Sequence, residues 1–214
     1  MALFNTLLLD LDGTLVDAFT TIHRSYVHTL PRFDRPAPTM AEVRRAVGGG
    51  IERAMSHFLP PELISAAIKI HTAYTQEILL EDVILLPGAL ELVRDQHARG
   101  TQLAVYTNKN AEASRRICTH LGLDPFLSGI YGAGDTPWLK PQREFSEHVL
   151  HALDADAATT LLIGDSPFDV ETAQVAGFSC WCVTTGTHDE AQLRAAGAVK
   201  IFPNLAALAA KLPM

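Results

Sequence analysis

Two carboxylates, Asp10 and Asp12, interrupt an apolar run near the beginning of the chain. Residues 4–9 are mostly apolar, which is typical of a buried parallel strand, and in open α/β sheets the reactive groups lie just beyond the carboxyl ends of such strands. Two carboxylates this close repel each other unless a cation offsets their charge, and hard oxygen ligands suit magnesium. Gly13 then allows a sharp turn and the close approach of a ligand to the backbone. The alternative is a strand followed by an Asp-Gly turn, in which Asp12 only forms the turn.

Three further groups of polar residues stand at, or soon after, the ends of other predicted strands. They are Thr107 with Asn108, Lys140, and Asp165 with Asp169. In a doubly wound sheet the carboxyl ends of the strands converge on one crevice, so these side chains are expected to meet Asp10 and Asp12 there. Carboxylates, a hydroxyl, an ammonium group and a metal ion in one crevice are what phosphoryl transfer through a covalent intermediate requires.

Each of these residues, taken alone, also fits a structural role. Asn108 could help to start the following helix. Ser166 before Pro167 is a good helix N-cap, and Asp169 would add a carboxylate to the first turn of that helix. Lys140 could be a solvated loop lysine. We favour the catalytic interpretation because the residues occur together as a set.

Strands and helices alternate after Pro87-Gly88, which predicts βαβ units and a parallel sheet. The predicted strands are 4–9, 101–106, 130–133, 160–163, 179–183 and 199–202. The predicted helices are 89–99, 111–121, 142–153, 167–176 and 205–212. The first strand belongs with this sheet, so we expect an α/β core formed by residues 1–16 and 86–214.

Residues 17–85 have a helical periodicity and no convincing strand. Four amphipathic stripes are expected on four helices, and they are Ile22/Tyr26/Leu30/Phe33, Met40/Val43/Val47, Ile51/Met55/Phe58/Leu59 and Leu63/Ala67/Ile70/Tyr74/Ile78. These stripes predict a small helical bundle inserted after the first strand of the core.

Composition argues against several classes of function. A net charge of −7 argues against a nucleic-acid partner, which requires clustered lysines and arginines, and no apolar run approaches the length that spans a membrane. Cys118, Cys180 and Cys182 are too few for a disulfide framework and are expected to be buried, reduced thiols. The first strand leaves no room for a signal peptide, so a cytoplasmic location is expected. The histidines lack metal-ligand spacing and are expected at surface or half-buried positions.

Four motifs occur in order along the chain. They are Asp10-Leu-Asp-Gly-Thr14, Thr107-Asn-Lys109, Lys140-Pro141 and Gly164-Asp-Ser-Pro-Phe-Asp169. Together with the helical insertion after the first motif, they resemble the haloacid dehalogenase superfamily of phosphohydrolases over essentially the whole chain. The resemblance implies a Rossmann-like parallel sheet core with an inserted, movable helical cap domain, here residues 17–85. The Thr-Asn-Lys triplet and the segments 132–136, 186–189 and 195–197 look most like those of phosphoglycolate phosphatases.

The resemblance also implies a role for each motif residue. Asp10 would be the nucleophile that forms an aspartyl phosphate, oriented by Mg²⁺. Asp12 would protonate the departing alkoxide and then take a proton from the hydrolytic water. Thr107 and the backbone of Asn108 would bind phosphoryl oxygens, while Lys140 would offset the charge that collects there.

The remaining motif residues would hold the metal ion and the substrate. Asp165 would ligate Mg²⁺ beside the carboxylate of Asp10 and the backbone carbonyl of Asp12. Asp169, one helical turn further on, would keep these ligands in place. Gly13 would lie against the bound substrate.

The cap would determine which substrate is accepted. The glycines at 48–50 can bring backbone amides close to a ligand, and Arg53 on the next helix could bind a carboxylate on the substrate. Arg44 and Arg45 are nearby. For any one of these arginines, a solvated helix face is an equally good interpretation.

These features predict a Mg²⁺-dependent phosphatase that acts on a small phosphorylated metabolite, first of all 2-phosphoglycolate. A phosphosugar phosphatase or mutase of the same superfamily stays open, because mutases share all four motifs and differ mainly in the cap. A protein that binds a phosphometabolite without turnover is a rival from another class, although it would have little need for both Asp10 and Asp12. The sequence does not distinguish a monomer from a homodimer.

Overall fold

A parallel sheet lies at the centre of the structure, a computed structural model that describes residues 4–212. The strands of this described part are β1 (Thr6–Leu9), β2 (Val16–Asp17), β3 (Ile84–Leu85), β4 (Gln102–Asn110), β5 (Gly129–Ala133), β6 (Thr160–Gly164), β7 (Ser179–Val183) and β8 (Lys200–Phe202). Six of them form one sheet in the order β5-β4-β1-β6-β7-β8, and all neighbours are parallel. The predicted α/β fold is confirmed. The predicted core ranges extend beyond the described residues at 1–3 and 213–214.

Helices cover both faces of the sheet and also form the inserted bundle. The α-helices of the described residues are α1 (Phe19–Thr29), α2 (Met40–Ala46), α3 (Ile51–Ser56), α4 (Pro61–Ile78), α5 (Ala89–Ala98), α6 (Ala111–His120), α7 (Arg143–Leu153), α8 (Pro167–Ala176), α9 (Glu190–Ala195) and α10 (Leu205–Ala209). Short 3₁₀ turns occur at Leu30–Phe33, Asp124–Phe126 and Ala157–Thr159. No helix among residues 4–212 combines the length and apolar character that crossing a membrane requires.

The apolar run of β1 is buried on both faces of the sheet. Leu7 and Leu9 belong to the hydrophobic core on one face, whereas Leu8 packs with Ala104 and Tyr106 on the other. Because helices exclude water from both faces, the strand shows no alternation of polar and apolar residues. This burial explains why β1 could be recognised from its sequence.

Helices α1 to α4 form the cap around a hydrophobic cluster of their own. A two-residue antiparallel ribbon, in which Val16 pairs with Leu85 and Asp17 with Ile84, joins the cap to the core. The prediction that residues 17–85 contain no strand is therefore wrong at both ends. Pairs of residues are too short to show a periodic pattern, so the ribbon left no signal in the sequence.

The buried face of α4 differs from the predicted stripe. Ile64 and His71 are buried, whereas Leu63, Ile70 and Tyr74 are only half-buried. The inner face of α4 is therefore rotated relative to the predicted one. The hydrophobic pattern did not indicate this face because it includes a polar residue, His71. The expectation that the histidines occupy surface or half-buried positions is wrong for His71, which is 7% exposed.

Other differences concern the ends of elements and one thiol. β1 begins at Thr6, and β4 continues to Asn110 because its end stays extended and pairs irregularly with β5. Helix α9, only six residues long, was too short to predict, and α10 ends at Ala209. Cys118 and Cys182 are buried free thiols as predicted, but Cys180 is half-buried because it packs at the margin of two clusters.

Candidate active site

The candidate site lies where the strand order reverses. β1 is flanked by β4 on one side and β6 on the other, and a ligand crevice is expected outside the carboxyl ends of such strands. Asp10 follows β1, Thr107 and Asn108 lie in the carboxyl-terminal part of β4, and Asp165 follows β6. The topology therefore gathers these side chains from three central strands at one edge of the sheet.

Lys140 reaches the site from the loop between β5 and α7. Its Nζ lies 3.0 Å from Asp10 Oδ1 and 2.6 Å from Asp169 Oδ1. Lys140 is only 4% exposed, so it is not a solvated loop lysine. Burial alone would lower the pKa of Lys140, but the carboxylates of Asp10 and Asp169 raise it above its ordinary value. The ammonium group is therefore a permanent positive charge beside Asp10.

Asp169 has both a structural and an electrostatic partner. Its Oδ2 accepts hydrogen bonds from the backbone N–H of Ser166 at 3.1 Å and from Ser166 Oγ at 2.7 Å, which completes a capping box at the start of α8. Its Oδ1 accepts from Lys140. Both oxygens are thus engaged, so Asp169 is suited to holding Lys140 and the helix start in position. The helix-cap interpretation of Ser166 is confirmed and coexists with this role.

Asp165 is held by neighbours on two loops. Its Oδ1 accepts a hydrogen bond from Thr14 Oγ1 at 3.3 Å, and its Oδ2 accepts from the backbone N–H of Thr187 at 2.9 Å. The backbone at Gly13 and Gly186 passes so close that a Cβ at Gly13 would lie 2.9 Å from Asp165 Oδ2, and one at Gly186 would lie 2.8 Å from Asp165 Cβ. Both positions therefore require glycine.

Burial and mutual repulsion act strongly on the acids. Burial raises the pKa of Asp10 to about 6, a shift that Lys140 opposes and Asp169 reinforces. Burial and the carboxylates of Asp10 and Asp169 raise the pKa of Asp165 to about 8. The ionised forms of Asp10 and Asp165 are therefore unfavourable in the protein alone, and a bound cation would stabilise them.

The buried carboxylates form a cluster that could hold a metal ion. One oxygen each of Asp10, Asp165 and Asp169 lie within 4.8 Å of one another. Three carboxylates with one lysine leave an excess of negative charge, and hard oxygen donors suit a hard divalent cation. The donor set therefore fits a divalent cation. Direct ligation by the carboxylates of Asp10 and Asp165, with Asp169 holding Lys140 and the start of α8, stays a prediction. Ligation by the backbone carbonyl of Asp12 stays a prediction.

Asp12 is not part of this cluster. Its carboxylate is paired with Lys109, a residue for which the sequence predicted no role. Lys109 Nζ lies 2.9 Å from Asp12 Oδ2 and 3.1 Å from Asp12 Oδ1. Lys109 was visible only as the third residue of the Thr-Asn-Lys triplet, and nothing in its spacing revealed the partner. The pair leaves the Asp12 side chain 21% exposed toward the crevice.

The side chain of Asn108 connects the Lys140 loop with the cap. Asn108 Oδ1 accepts from the backbone N–H of Lys140 at 2.8 Å, while its Nδ2 donates to the carbonyl oxygens of Lys140 and Gly48 at 3.0 and 3.1 Å. Thr107 is buried beside it, and its Oγ1 accepts from the backbone N–H of Lys109 at 3.2 Å. Phosphate binding by Thr107 and by the Asn108 backbone stays a prediction.

A cavity of about 370 Å³ separates Asp10 and Asp12 from the cap. Asp10, Asp12 and Thr107 line it from the core, and Gly48 and Gly50 line it from the cap. We call this cavity the cap chamber. Its position beside Asp10 and Asp12 leaves space for a ligand that contacts both the acids and the cap.

The cap arginines lie elsewhere. The Arg53 guanidinium lies 5.0 Å from the centroid of the Phe168 ring, its residue is exposed, and it does not line the cap chamber. Arg44 donates to the carbonyl oxygen of Gly186 at 3.1 Å and stacks on Phe19. The structure therefore does not bring Arg53 together with the other predicted site residues, and its role in carboxylate binding stays a prediction.

A parallel sheet with an inserted helical cap, and with acids and a lysine gathered at its switch point, defines a phosphohydrolase of the haloacid dehalogenase type. The sequence profile described as haloacid dehalogenase-like hydrolase matches residues 7–183. The chain belongs to this family and is a phosphatase of it.

Individual relatives agree with this assignment. The chain is 31% identical over 193 residues to the "Probable phosphatase IndB" of Dickeya dadantii, covering 87% of this chain and 84% of the relative. It is 30% identical over 210 residues to a phosphoglycolate phosphatase of Rhodospirillum rubrum, covering 93% and 87%. The crystal structure of a predicted phosphatase from Clostridium acetobutylicum has the same fold, with a TM-score of 0.91 at 24% identity over 98% of both chains.

Proposed function

We propose that this protein is a Mg²⁺-dependent hydrolase of small phosphate monoesters in which Asp10 is the nucleophile. The observation that carries the proposal is the position of the Asp10 carboxylate, 3.0 Å from Lys140 Nζ and clustered with Asp165 and Asp169 at the switch point of the sheet. A carboxylate attacks a phosphate ester only if the negative charge of the two groups is offset. Lys140 supplies one positive charge. The carboxylate oxygens of the acid cluster could bind a divalent cation, which would supply more.

The first half of the reaction follows from this arrangement. Asp10 attacks the phosphorus atom, a P–O bond to Asp10 forms, and the P–O bond of the ester breaks. Asp12 gives its proton to the departing oxygen. Lys140 and Thr107 bind the phosphoryl oxygens as charge moves onto them. A Mg²⁺ ion held by Asp10 and Asp165 would supply positive charge that brings the phosphoryl group and the nucleophile together.

The second half returns the protein to its starting state. Asp12, now ionised, takes a proton from a water molecule that attacks the phosphorus atom of the aspartyl phosphate. The bond between phosphorus and the Asp10 oxygen breaks, inorganic phosphate leaves, and Asp10 regains its charge. Asp12 can reach both the departing oxygen and the attacking water because Lys109 holds it, partly exposed, at the edge of the crevice. This position also keeps Asp12 away from the cluster of buried acids.

The names of the relatives make 2-phosphoglycolate the first substrate to assay. Its carboxylate would need a cation in the cap, and Arg53 would have to leave Phe168 to provide it. If Arg53 binds that carboxylate, Arg53→Ala raises KM for 2-phosphoglycolate more than for an uncharged phosphate ester. Equal effects on both esters would count against the assignment.

The proposed chemistry is tested by phosphate release from 4-nitrophenyl phosphate. We expect release that requires Mg²⁺, stops on addition of EDTA, and falls on the order of 10³-fold or more in Asp10→Asn. Asp95→Asn is the matched control, since Asp95 is exposed on α5 and does not line the cap chamber. An Asp10→Asn protein with wild-type turnover, or release that is indifferent to EDTA, would refute the proposal.

A further inference from the structure

The cap chamber is larger and more apolar than a two-carbon acid requires. Its volume of about 370 Å³ falls within the range of roughly 300–1,000 Å³ that buries drug-sized molecules. Apolar side chains from the cap helices and the segments between them line it: Phe19, Ile22, Val47, Ile51, Ala54 and Ile68. Such a wall favours the apolar part of a ligand, because binding removes both surfaces from water.

Two polar atoms on residues of this wall have no partner. Among residues 4–212, the buried side-chain atoms without a hydrogen bond are Thr21 Oγ1, Tyr26 Oη and His71 Nε2. Tyr26 and His71 line the cap chamber, and their rings are in edge contact with centroids 4.8 Å apart. Tyr26 is fully buried and His71 is 7% exposed. Burying such groups without a partner is unfavourable, so a ligand that pairs with them gains affinity.

The contacts of Thr75 beside His71 favour one position for the proton of the imidazole ring. Thr75 has one hydroxyl proton and donates it to the His71 carbonyl oxygen at 2.7 Å or to Ser25 Oγ at 2.8 Å. Both of these acceptors are nearer to Thr75 Oγ1 than His71 Nδ1, which lies 3.4 Å away, so we assign the ring proton to Nδ1. Burial and the Lys109 ammonium lower the pKa of His71 to about 4, so the ring is neutral at pH 7. Nε2 is left as an acceptor.

Residues of the wall therefore carry one unpaired donor, the Tyr26 hydroxyl, and one unpaired acceptor, His71 Nε2, both of them buried behind the surface of the chamber. An alcohol group can satisfy both, because it accepts one hydrogen bond and donates another. A carboxylate can accept from Tyr26 but has no proton for His71. Lys109 is the one lysine or arginine among the described residues that line the chamber, and it is already paired with Asp12.

We propose that the cap chamber selects phosphate monoesters of an uncharged, mainly apolar alcohol that carries a second hydroxyl group, which donates to His71 Nε2 and accepts from Tyr26 Oη. This inference rests on the proposed phosphatase function, because it places the phosphate at Asp10 and the rest of the substrate in the chamber. It makes Tyr26 and His71 determinants of specificity.

A matched series of benzyl phosphates tests the inference. The ring carries a methyl, a hydroxymethyl or a carboxyl group, each at the 3- or 4-position, and 2-phosphoglycolate is the comparison. Dissociation constants are measured calorimetrically with Mg²⁺ on Asp10→Asn protein, which separates binding from turnover, and kcat/KM is measured on the wild type. We expect the better hydroxymethyl isomer to bind about tenfold more tightly than its methyl analogue, and the carboxyl ester and 2-phosphoglycolate to bind less tightly still.

Variants of Tyr26 and His71 test whether these two residues cause the preference for the hydroxymethyl ester over the methyl ester. Tyr26→Phe keeps the buried ring and removes only Oη, so the advantage of the hydroxymethyl over the methyl ester is expected to fall from about tenfold toward onefold. His71→Leu should reduce the same ratio. Tyr74→Phe is the matched control, because Tyr74 stacks on His28 in the cap and does not line the chamber. It should retain the full ratio.

The outcomes separate this inference from the proposed function. Phosphate release that depends on Asp10, but with 2-phosphoglycolate as the best ligand or with no hydroxymethyl preference, overturns the inference and leaves the phosphatase function standing. A ratio that is the same in Tyr26→Phe as in Tyr74→Phe also overturns it. Selective binding of the hydroxymethyl ester without any phosphate release supports the selectivity of the chamber and refutes the phosphatase function.

Discussion

Lys109 holds both carboxylate oxygens of Asp12, at 2.9 and 3.1 Å, while Lys140 holds Asp10 at 3.0 Å. The two aspartates of the first motif therefore have separate lysines, one from the end of β4 and one from the loop after β5. Asp10 is directed into the buried acid cluster, and Asp12 is directed toward the crevice. This division fits a nucleophile that must stay ionised and an acid–base group that must exchange protons.

Removing the Lys109 charge is expected to impair the acid–base step more than the attack by Asp10. In Lys109→Met, Asp12 loses its partner and its fixed position, so turnover of alkyl phosphates should fall by about 10- to 100-fold. Turnover of 4-nitrophenyl phosphate should fall much less, since nitrophenolate leaves without needing a proton. The measurement is kcat/KM for both esters at saturating Mg²⁺, because this quantity covers the steps up to phosphoryl transfer to Asp10 and leaves out the hydrolysis that both esters share.

Lys69→Met is the control for this change, because Lys69 is an exposed lysine of the cap helix α4. It should alter neither rate. If Lys109→Met slowed alkyl and nitrophenyl esters by the same factor, Lys109 would act on a step other than proton transfer from Asp12 to the leaving group.

Gly186 is predicted to be essential for metal binding although it is no ligand. A Cβ at this position would overlap the Asp165 carboxylate and lie 2.8 Å from Asp165 Cβ, so Gly186→Ala must displace Asp165. We expect the affinity for Mg²⁺ to fall by about 10- to 100-fold, as measured by calorimetric titration.

Gly100→Ala separates this effect from backbone strain. Gly100 has a φ of +80° and open space around the position of a Cβ. Alanine there should destabilise the fold by about 1 kcal/mol and leave the affinity for Mg²⁺ unchanged. Unchanged affinity in Gly186→Ala would instead mean that Asp165 does not ligate the metal.

The stability of the metal-free protein is expected to decrease as the pH rises. The pKa values of Asp10 and Asp165, about 6 and about 8, lie above the ordinary value of 3.8. From the ordinary value up to the raised ones, the folded state therefore binds more protons than the unfolded chain. Stability contributed by the protonated acids is present below the ordinary pKa and is lost as the pH rises through the raised ones. Mg²⁺ favours the ionised acids, so its stabilising effect should grow over the same range.

Thermal unfolding at about pH 5 and about pH 8, with EDTA or with excess MgCl₂, measures both effects. Asp165→Asn should reduce the dependence of Tm on pH and the gain from Mg²⁺, whereas Asp95→Asn should behave as the wild type. A gain from Mg²⁺ that is equal at both pH values in the wild type would contradict the assignment of the cluster as the metal site.

The positions of Asp10 and Asp165 in the candidate site could be predicted because each stands next to an apolar run. The run before Asp10 and the one before Asp165 identify buried strands, and the rule that reactive groups follow such strands is independent of the details of packing. Lys140 could be placed only as part of the set, since its loop has no periodic pattern. The parallel sheet follows from the alternation of strands and helices in the same way.

The substrate side of the site could not be predicted, because it depends on how two domains face each other. Tyr26 belongs to an apolar stripe and was expected only to pack, and His71 was expected near the surface. Both border the cap chamber because α1 and α4 turn their inner faces partly toward the core, a rotation that periodicity does not specify. Arg53 failed to join the site for the same reason. It lies only two residues after Ile51, but α3 directs it toward Phe168.

The Asn108 side chain is predicted to couple the position of Lys140 to closure of the cap. Its Nδ2 donates to the carbonyl oxygens of both Lys140 and Gly48, so Asn108→Asp would place a carboxylate oxygen against two carbonyl oxygens without changing the size of the side chain. Repulsion should displace the segment around Gly48 and loosen the Lys140 loop. We expect kcat/KM to fall by about 10- to 100-fold, because a buried acceptor facing acceptors costs about 1–3 kcal/mol. Amide hydrogen exchange in the segment 46–52 should become faster at the same time.

Asn204→Asp is the control, since the Asn204 side chain only accepts a hydrogen bond from the backbone N–H of Ala207, which an aspartate can also accept. Loss of activity in Asn108→Asp with unchanged exchange around Gly48 would mean that Asn108 acts through Lys140 alone, and that the contact with the cap does not contribute.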